Sequence, residues 1–360
     1  MKIAFSSLSL IIFLLFSCQS ETTNAEQETE GSTDKLNSKV SFDHNETQKI
    51  VEVSIDGRPF TAYRYDSALK KPVLFPVRAA NGVTVTRGYP LEPREGEQVD
   101  HLHHVGHWMN HGVVNQVDFW ASTAETQSRA DKIYGSIVHR DIGAMEEGEQ
   151  GSLTYVADWI SDEGDTLLLE ETRLVFGGDG NFRTIDRITT LSALKDTVTF
   201  EDSKEGMMAF RVARFMEQPY DEPQQLIGDE GQINEEEIID NTAVNGMYYS
   251  SKGQEGDAVW GTRAKWVMLN SDQDSTNYSV SIMDHPSNVN HPTHWMARGY
   301  GLFAANPLGS AAYTEGREQL NFQLEPGKST TFTYRIVIHH GKKLSSDELN
   351  ASYDEFEAAY

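Results

Sequence analysis

The chain reads as a long succession of short stretches in which apolar and polar residues alternate. "KIVEVSI" (49–55), "FTAYRY" (60–65), "PVLFPV" (72–77) and "GVTVTR" (82–87) come first, divided by "DGRP" and "ANG" turns. A period of two puts every second side chain on one face, so each stretch predicts a β-strand with one buried side. The pattern resumes in "KIYGSIVHR" (132–140), "SLTYVADWIS" (152–161), "TLLLEETRLVF" (166–176), "FRTIDRITTL" (182–191) and "TVTFED" (197–202). It continues in "MMAFRVA" (207–213), "RAKWVML" (263–269), "YSVSIMDH" (278–285), "LNFQL" (320–324) and "TTFTYRIVIHH" (330–340). In the last of these Phe332, Tyr334, Ile336 and Ile338 share one face. Fourteen such strands, with almost no helical period between them, predict an all-β protein built as a large antiparallel β-sandwich. One helix is expected, at the C-terminus. "SSDELNASYDEFEAAY" (345–360) sets Ser345 three residues before Glu348, a capping-box spacing, and Leu349, Tyr353, Phe356 and Tyr360 recur on one helical face.

The first 45 residues break the pattern. An apolar run, "IAFSSLSLIIFLLFS", follows Lys2 and ends at Cys18, too short for a comfortable membrane span. "LFSC" (15–18) is similar to a bacterial lipobox. Residues 1–18 are therefore expected to be a lipoprotein signal peptide, with Cys18 the lipidation site. Residues 19–45 are polar, acidic and almost free of large apolar side chains, the composition of a flexible tether, and His44 within it is expected to be inert. A single sandwich domain is expected over 46–360. Cys18 is the only cysteine, so that domain is expected to hold without a disulfide. The expected location is the bacterial cell envelope, with the membrane touched only through the N-terminal lipid anchor. A formal net charge of −25 argues against nucleic acid or anionic headgroups as partners. The acidic stretch 218–241 is long for a loop and reads as a lid, a partner surface or a solvated insertion.

Two segments concentrate the chemistry. "DHLHHVGHWMNHG" (100–112) holds five of the twelve histidines, and "DHPSNVNHPTHWMARGYGLFAANPLG" (284–309) holds three more beside Arg298 and Tyr300. If the first is extended, His101 and His103 point the same way; if it is helical, His104, His107 and His111 share a face. Either geometry presents several imidazoles together. A divalent metal ion held by His101, His103 and His291 is one reading, although the spacing matches no familiar zinc signature. Acid/base chemistry on a saccharide is the other. There His103, His104 and His294 would carry protons or ligand contacts, while Asp100, Asp284 and Glu205 would orient them or share the transfers. Trp108, Trp295 and Tyr300 offer flat faces for sugar rings, and Asn115, Arg298 and Asn306 offer hydrogen bonds. Glu205 reads equally well as a turn residue. Only two or three of the clustered histidines are expected to be functional, the rest holding the loop.

The pieces "KPVLFPVRAANGVTVTRGYPL" (71–91), "DHLHHVGHWMNHGVVNQVDFW" (100–120), "EGMMAFRVA" (205–213) and the segment 284–309 together resemble a bacterial family of unknown function. It is common in secreted and lipoprotein chains and often labelled "methane oxygenase PmoA". The resemblance spans roughly residues 50–340, and Asp100, His101, His103, His104 and Gly106 match its most specific motif. It implies a galactose-mutarotase-like supersandwich and proximity to saccharide processing; it carries over no catalytic set. The expected activity is cleavage of a glycosidic bond, by hydrolysis or elimination. A metal-dependent oxygenase using the same histidines and a non-catalytic glycan-binding lipoprotein are the alternatives. All three require the two histidine-rich segments to meet.

Overall fold

A computed structural model describes residues 39–360; the expected signal peptide, Cys18 and the tether up to residue 38 lie outside the described residues. Two large sheets make up the architecture, as the alternation predicts. In the first, eight strands run side by side in the order Val40–Asn45, Ile50–Ile55, Arg58–Arg64, Val73–Leu74, His107–His111, Gly206–Arg211, Leu302–Asn306 and His294–Ala297. In the second, nine strands follow the order Met247–Ser250, Trp266–Gln273, Thr276–Asp284, Ser329–Gly341, Phe182–Ala193, Thr166–Gly177, Gly151–Ser161, Ile133–Glu146 and Val117–Asp118. Only the last pair is parallel. The described residues form one compact unit, and no helix among them is long and apolar enough to cross a membrane.

Alternation decides what each face meets. Val51, Val53 and Ile55 of the first sheet enter the same core as Phe332, Tyr334, Ile336 and Ile338 of the second. Phe60 packs on Phe176, and Phe119 on Trp159 with ring centres 4.9 Å apart. The second sheet is apolar on its outer face too: Val267 and Leu269 point inward, while Trp266 and Met268 point out. The helix Ser346–Ala359 covers that outer patch with Leu349, Tyr353 and Phe356. Ser345 and Glu348 form the expected capping box. Tyr360, the fourth member of the expected stripe, is exposed, and its hydroxyl donates to Asp186.

The structure departs from the sequence reading in two ways. The end of the expected tether, 40–45, is a strand paired in register with Ile50–Ile55, and His44 there shares a 2.8 Å hydrogen bond with the Tyr65 hydroxyl. Polar "SFDHN" concealed it, because only Val40 is fully buried. The histidine-rich segments, whose local structure the sequence leaves open, supply two inner strands, His107–His111 and Leu302–Asn306, and the edge strand His294–Ala297. All the residues of these strands are buried on both faces, so no polar alternation marks them. The acidic stretch 218–241 is an irregular hairpin tied by Gln224–Ile238 and Ile227–Ile233 bridges and by the Arg214–Asp240 ion pair at 2.9 Å.

Trp295 belongs to the inter-sheet core, fully buried, with its indole N–H donating 2.9 Å to the Ala264 carbonyl. It offers no surface to a sugar, contrary to expectation. Trp295→Ala should lower stability by about 3–5 kcal/mol, the usual cost of emptying a buried aromatic site. Urea unfolding measures it.

Candidate functional site

The outer face of the first sheet carries the site. Its paired strands place Trp108, Ala209, Ala304 and Met296 in one row across four strands, and all four join a second apolar cluster with Val105, Trp120 and Leu302. Trp108 is therefore buried flooring rather than a sugar platform. A cavity of about 620 Å³ opens on this side, well within the range of small-molecule sites. His101, His103 and His104 line it from one histidine-rich segment, and Met296, Arg298 and Tyr300 from the other. Asp118, Trp120 and Glu205 complete its chemistry. The two segments meet, but only through their nearer halves.

A buried ion network fixes the first segment. The Arg87 guanidinium donates to the carbonyls of Gln98, Asp100, His101 and His104 and to the Asp100 carboxylate. Arg211, also fully buried, donates to both Asp100 oxygens, at 2.9 and 3.1 Å. Gly106 lets the chain turn beneath this network: its φ is +58°, and a side chain there would strike the Leu74 carbonyl. The rings of His101, His104 and Tyr300 then lie nearly parallel, His101 4.6 Å from His104 and 5.2 Å from Tyr300. His104 in turn stacks on Trp108.

This geometry assigns protons. Burial alone would raise the Asp100 carboxyl; Arg211, the hydrogen bond from His101 and Arg87 outweigh it and hold the group far below the usual carboxylate range. An ionised Asp100 only accepts, so the His101 Nδ1 that lies 2.5 Å from it carries a proton and the ring's Nε2 is left available. His104 is the reverse case. Its Nδ1 faces an Arg211 N–H at 3.3 Å and must accept, so Nε2 bears the proton. That Nε2 is buried with no partner among the described residues, on a side chain that lines the cavity. Burial, His103 and Arg211 push His104 well down, so it stays a neutral donor. Burial and nearby Lys71 push His103 down to about 3. Burial likewise pushes Lys71 down to about 7, and its ammonium donates 2.8 Å to the His103 carbonyl. Buried Glu217 behind Arg211 is pushed up to about 7 by desolvation, which the arginine opposes.

Several expected site residues lie elsewhere. Asp284 accepts from Asn288, His291 and the Thr293 amide, closing its own loop. His291 is thereby held by Asp284 and does not line the cavity with His101 and His103, so that metal set is not assembled. Among the described residues no group of three or more His, Cys, Asp or Glu side chains converges as a ligand set. His294 faces the site side but is buried, stacked on Tyr313 at 5.1 Å with Nδ1 on the Gly261 carbonyl. Asn115 bonds to Thr197 and Thr199 instead of the cleft. Asn306 donates to the carbonyls of Ser203 and Lys204, pinning the turn that presents Glu205. His107 and His111 point away and bond to the Ala209 and Glu201 carbonyls.

Arg87, Arg211, Glu217 and Lys71 are not apparent from the sequence, whereas Trp120, a flat face expected to suit a sugar ring, does line the cavity. One signal was present: a lone arginine within the apolar run "MMAFRVA" demands a buried acidic partner.

Fold and site together define a two-sheet β-sandwich protein with a histidine-lined cleft on the outer face of one sheet. The chain belongs to a family of unknown function, DUF6807, whose model matches residues 50–354 and bears no oxygenase description. No curated protein matches it in sequence. Among solved structures it is similar to the galactosidase domain of the α-galactosidase–sucrose kinase AgaSK, at 9% identity, 84% of this chain, 42% of that chain and TM-score 0.36. It is also similar to the α-galactosidase AgaB from Geobacillus stearothermophilus, at 10% identity, 84% and 41% coverage and TM-score 0.38. A galactose mutarotase-like protein from Clostridium acetobutylicum gives 9% identity, 84% and 98% coverage and TM-score 0.29. The chain thus spans about two-fifths of the two galactosidase chains. At this distance the likenesses bear on neither substrate nor mechanism.

Two outcomes are expected of the ion network. Asp100→Asn leaves two buried guanidiniums without their carboxylate and should cost about 3–5 kcal/mol in urea unfolding. The wild-type carboxylate stabilises the fold above its unfolded value of about 4, and that contribution should fade as pH drops from there towards the depressed folded value. Nitrogen–proton correlation spectra should show His104 as the neutral Nε2–H tautomer between about pH 5 and 8. An imidazolium or an Nδ1–H signal in that window would contradict the arrangement.

Proposed function

We propose that the cleft binds a saccharide and that the protein cleaves a glycosidic bond there. The observation that carries this reading is His101, oriented by Asp100 and lining one cavity with the partnerless His104 donor and several flat rings. An ionised Asp100 holds the His101 proton on Nδ1, so Nε2 is free to take a proton from the substrate or from an attacking water and to return it. His104 cannot accept a proton at Nε2; its role is to donate a fixed hydrogen bond to a substrate oxygen, positioning it and favouring negative charge there. Glu205 provides a second carboxyl. Ser203 Oγ donates to it at 2.8 Å, and the Asn306 contacts hold its turn in place. Trp120 and Tyr300 supply rings with an apolar body and a polar tip, which suit a pyranose. Hydrolysis and elimination both use such a base–acid pair.

The acid/base role first expected of His103, His104 and His294 thus passes to His101, while Glu205 keeps the share expected of it. His103 remains in the cavity as a neutral imidazole. A lipid anchor at Cys18 and a cell-envelope location belong to the same proposal, since a tethered domain of this kind meets saccharides outside the cell.

Product analysis over a panel of oligosaccharides tests the reading. Turnover of at least one is expected, and His101→Ala and Glu205→Gln should each reduce it by about 10²–10⁴-fold with little change in melting temperature. Binding without turnover on every member would overturn cleavage and leave a glycan-binding protein. Cys18→Ala should move the protein from the membrane fraction to the soluble fraction of its host.

A further inference from the structure

The charges around the cleft do not balance, and the imbalance points to the kind of saccharide. Each carboxylate of the lining already has a cation. Asp118 is paired with Lys132 at 2.7 Å, Asp131 with Arg129 at 2.8 Å and Glu205 with Lys204 at 3.5 Å. Arg298 is different. Its guanidinium lies over the Trp260 ring, 4.5 Å from the centroid, and it forms no ion pair with a carboxylate among the described residues. The side chain is half-buried at the cavity wall, held by the indole. A guanidinium stacked in this way is oriented in advance, so little rotamer freedom is lost when it grips a planar anion.

The buried carboxylates behind it are already matched and leave none for Arg298. Arg87 and Arg211 are both fully buried and face Asp100 and Glu217, while Lys71 stands under His103 with its ammonium on a backbone carbonyl. Arg211 lies over the Tyr300 ring at 4.8 Å, directly behind one wall. In a chain whose net charge is −25, a guanidinium without a carboxylate partner is not a background property of the surface. Unpaired charge in a partly desolvated cavity is costly unless a ligand completes it.

We propose that the saccharide taken by this cleft is acidic, and that Arg298 is the specificity residue that binds its anionic group through paired N–H donors. A uronate carboxylate matches the guanidinium fork; a sulfate ester shares the chemistry. This inference rests on the saccharide reading above. It adds that a neutral sugar of the same shape leaves Arg298 unsatisfied.

Calorimetric titration with matched ligands tests it. The probes are oligogalacturonate and oligomannuronate, their carboxyl-reduced neutral counterparts, and a sulfated neutral oligosaccharide of similar length. Wild-type protein should bind an acidic form at least about tenfold more tightly than its reduced partner, and the difference should shrink with added salt. Arg298→Gln should abolish the preference while still binding the neutral form; Arg298→Lys should retain part of it. A simple packing role for Arg298 would weaken both ligand classes equally and leave the preference intact, which would overturn the proposal. Equal or tighter binding of neutral sugars by wild type would overturn it too, leaving the saccharide reading standing. Failure to bind any probe or any neutral oligosaccharide would bring down both. A better response to the sulfated probe than to the uronates would assign the anionic group as a sulfate ester.

Discussion

The site depends on one contact, the Asp100 carboxylate held between two buried guanidiniums. Arg87 approaches from the segment before the histidines and Arg211 from a central strand of the first sheet. Neither arginine reaches water, so each is stable only because the other elements deliver that carboxylate and a set of carbonyls. Arg87 takes four carbonyl oxygens of one short segment, from Gln98 to His104. It therefore shapes the backbone as well as neutralising a charge. The same contact sets the proton on His101 and, through Arg211, the proton on His104. Two neighbouring imidazoles thus acquire opposite hydrogen-bonding characters at their Nε2 atoms. Such opposition is a common basis for dividing labour between similar side chains.

Much of the fold was legible along the chain. Strands of the second sheet, such as 152–161, 166–176, 182–191 and 330–340, follow the period-two rule because one face meets the core and the other is more polar. The first sheet hides three of its strands. In His107–His111, His294–Ala297 and Leu302–Asn306 both faces are covered, one by the inter-sheet core and one by the cleft, so the two-letter pattern vanishes. His107, His111 and Asn306 there each bond to a backbone carbonyl, and in a linear reading they look like loop residues.

The site was half legible for the same reason. Proximity in sequence picked out His101, His103 and His104, together with Arg298, Tyr300 and Glu205, and all six line one cavity. Proximity also picked out Asp284, His291 and Trp295, which differ from them only in the face to which the pleat turns them or the loop in which they close. A one-residue step along a strand separates Trp295, in the core, from Met296, in the cleft. No count of residue types could distinguish the two. The arginines that organise the site lie over a hundred residues apart in the chain, and their partnership exists only through strand order.

The separation of the ion network from the cleft wall has a consequence for how such a protein changes over time. Arg87, Asp100 and Arg211 align the imidazoles, yet none of the three lines the cleft. Much of the wall, including Trp120, Lys204, Glu205, Arg298 and Tyr300, stands on segments between strands. Ligand shape and proton placement are thus controlled by different residues. A family built on this plan can alter what it accepts while its chemistry stays fixed.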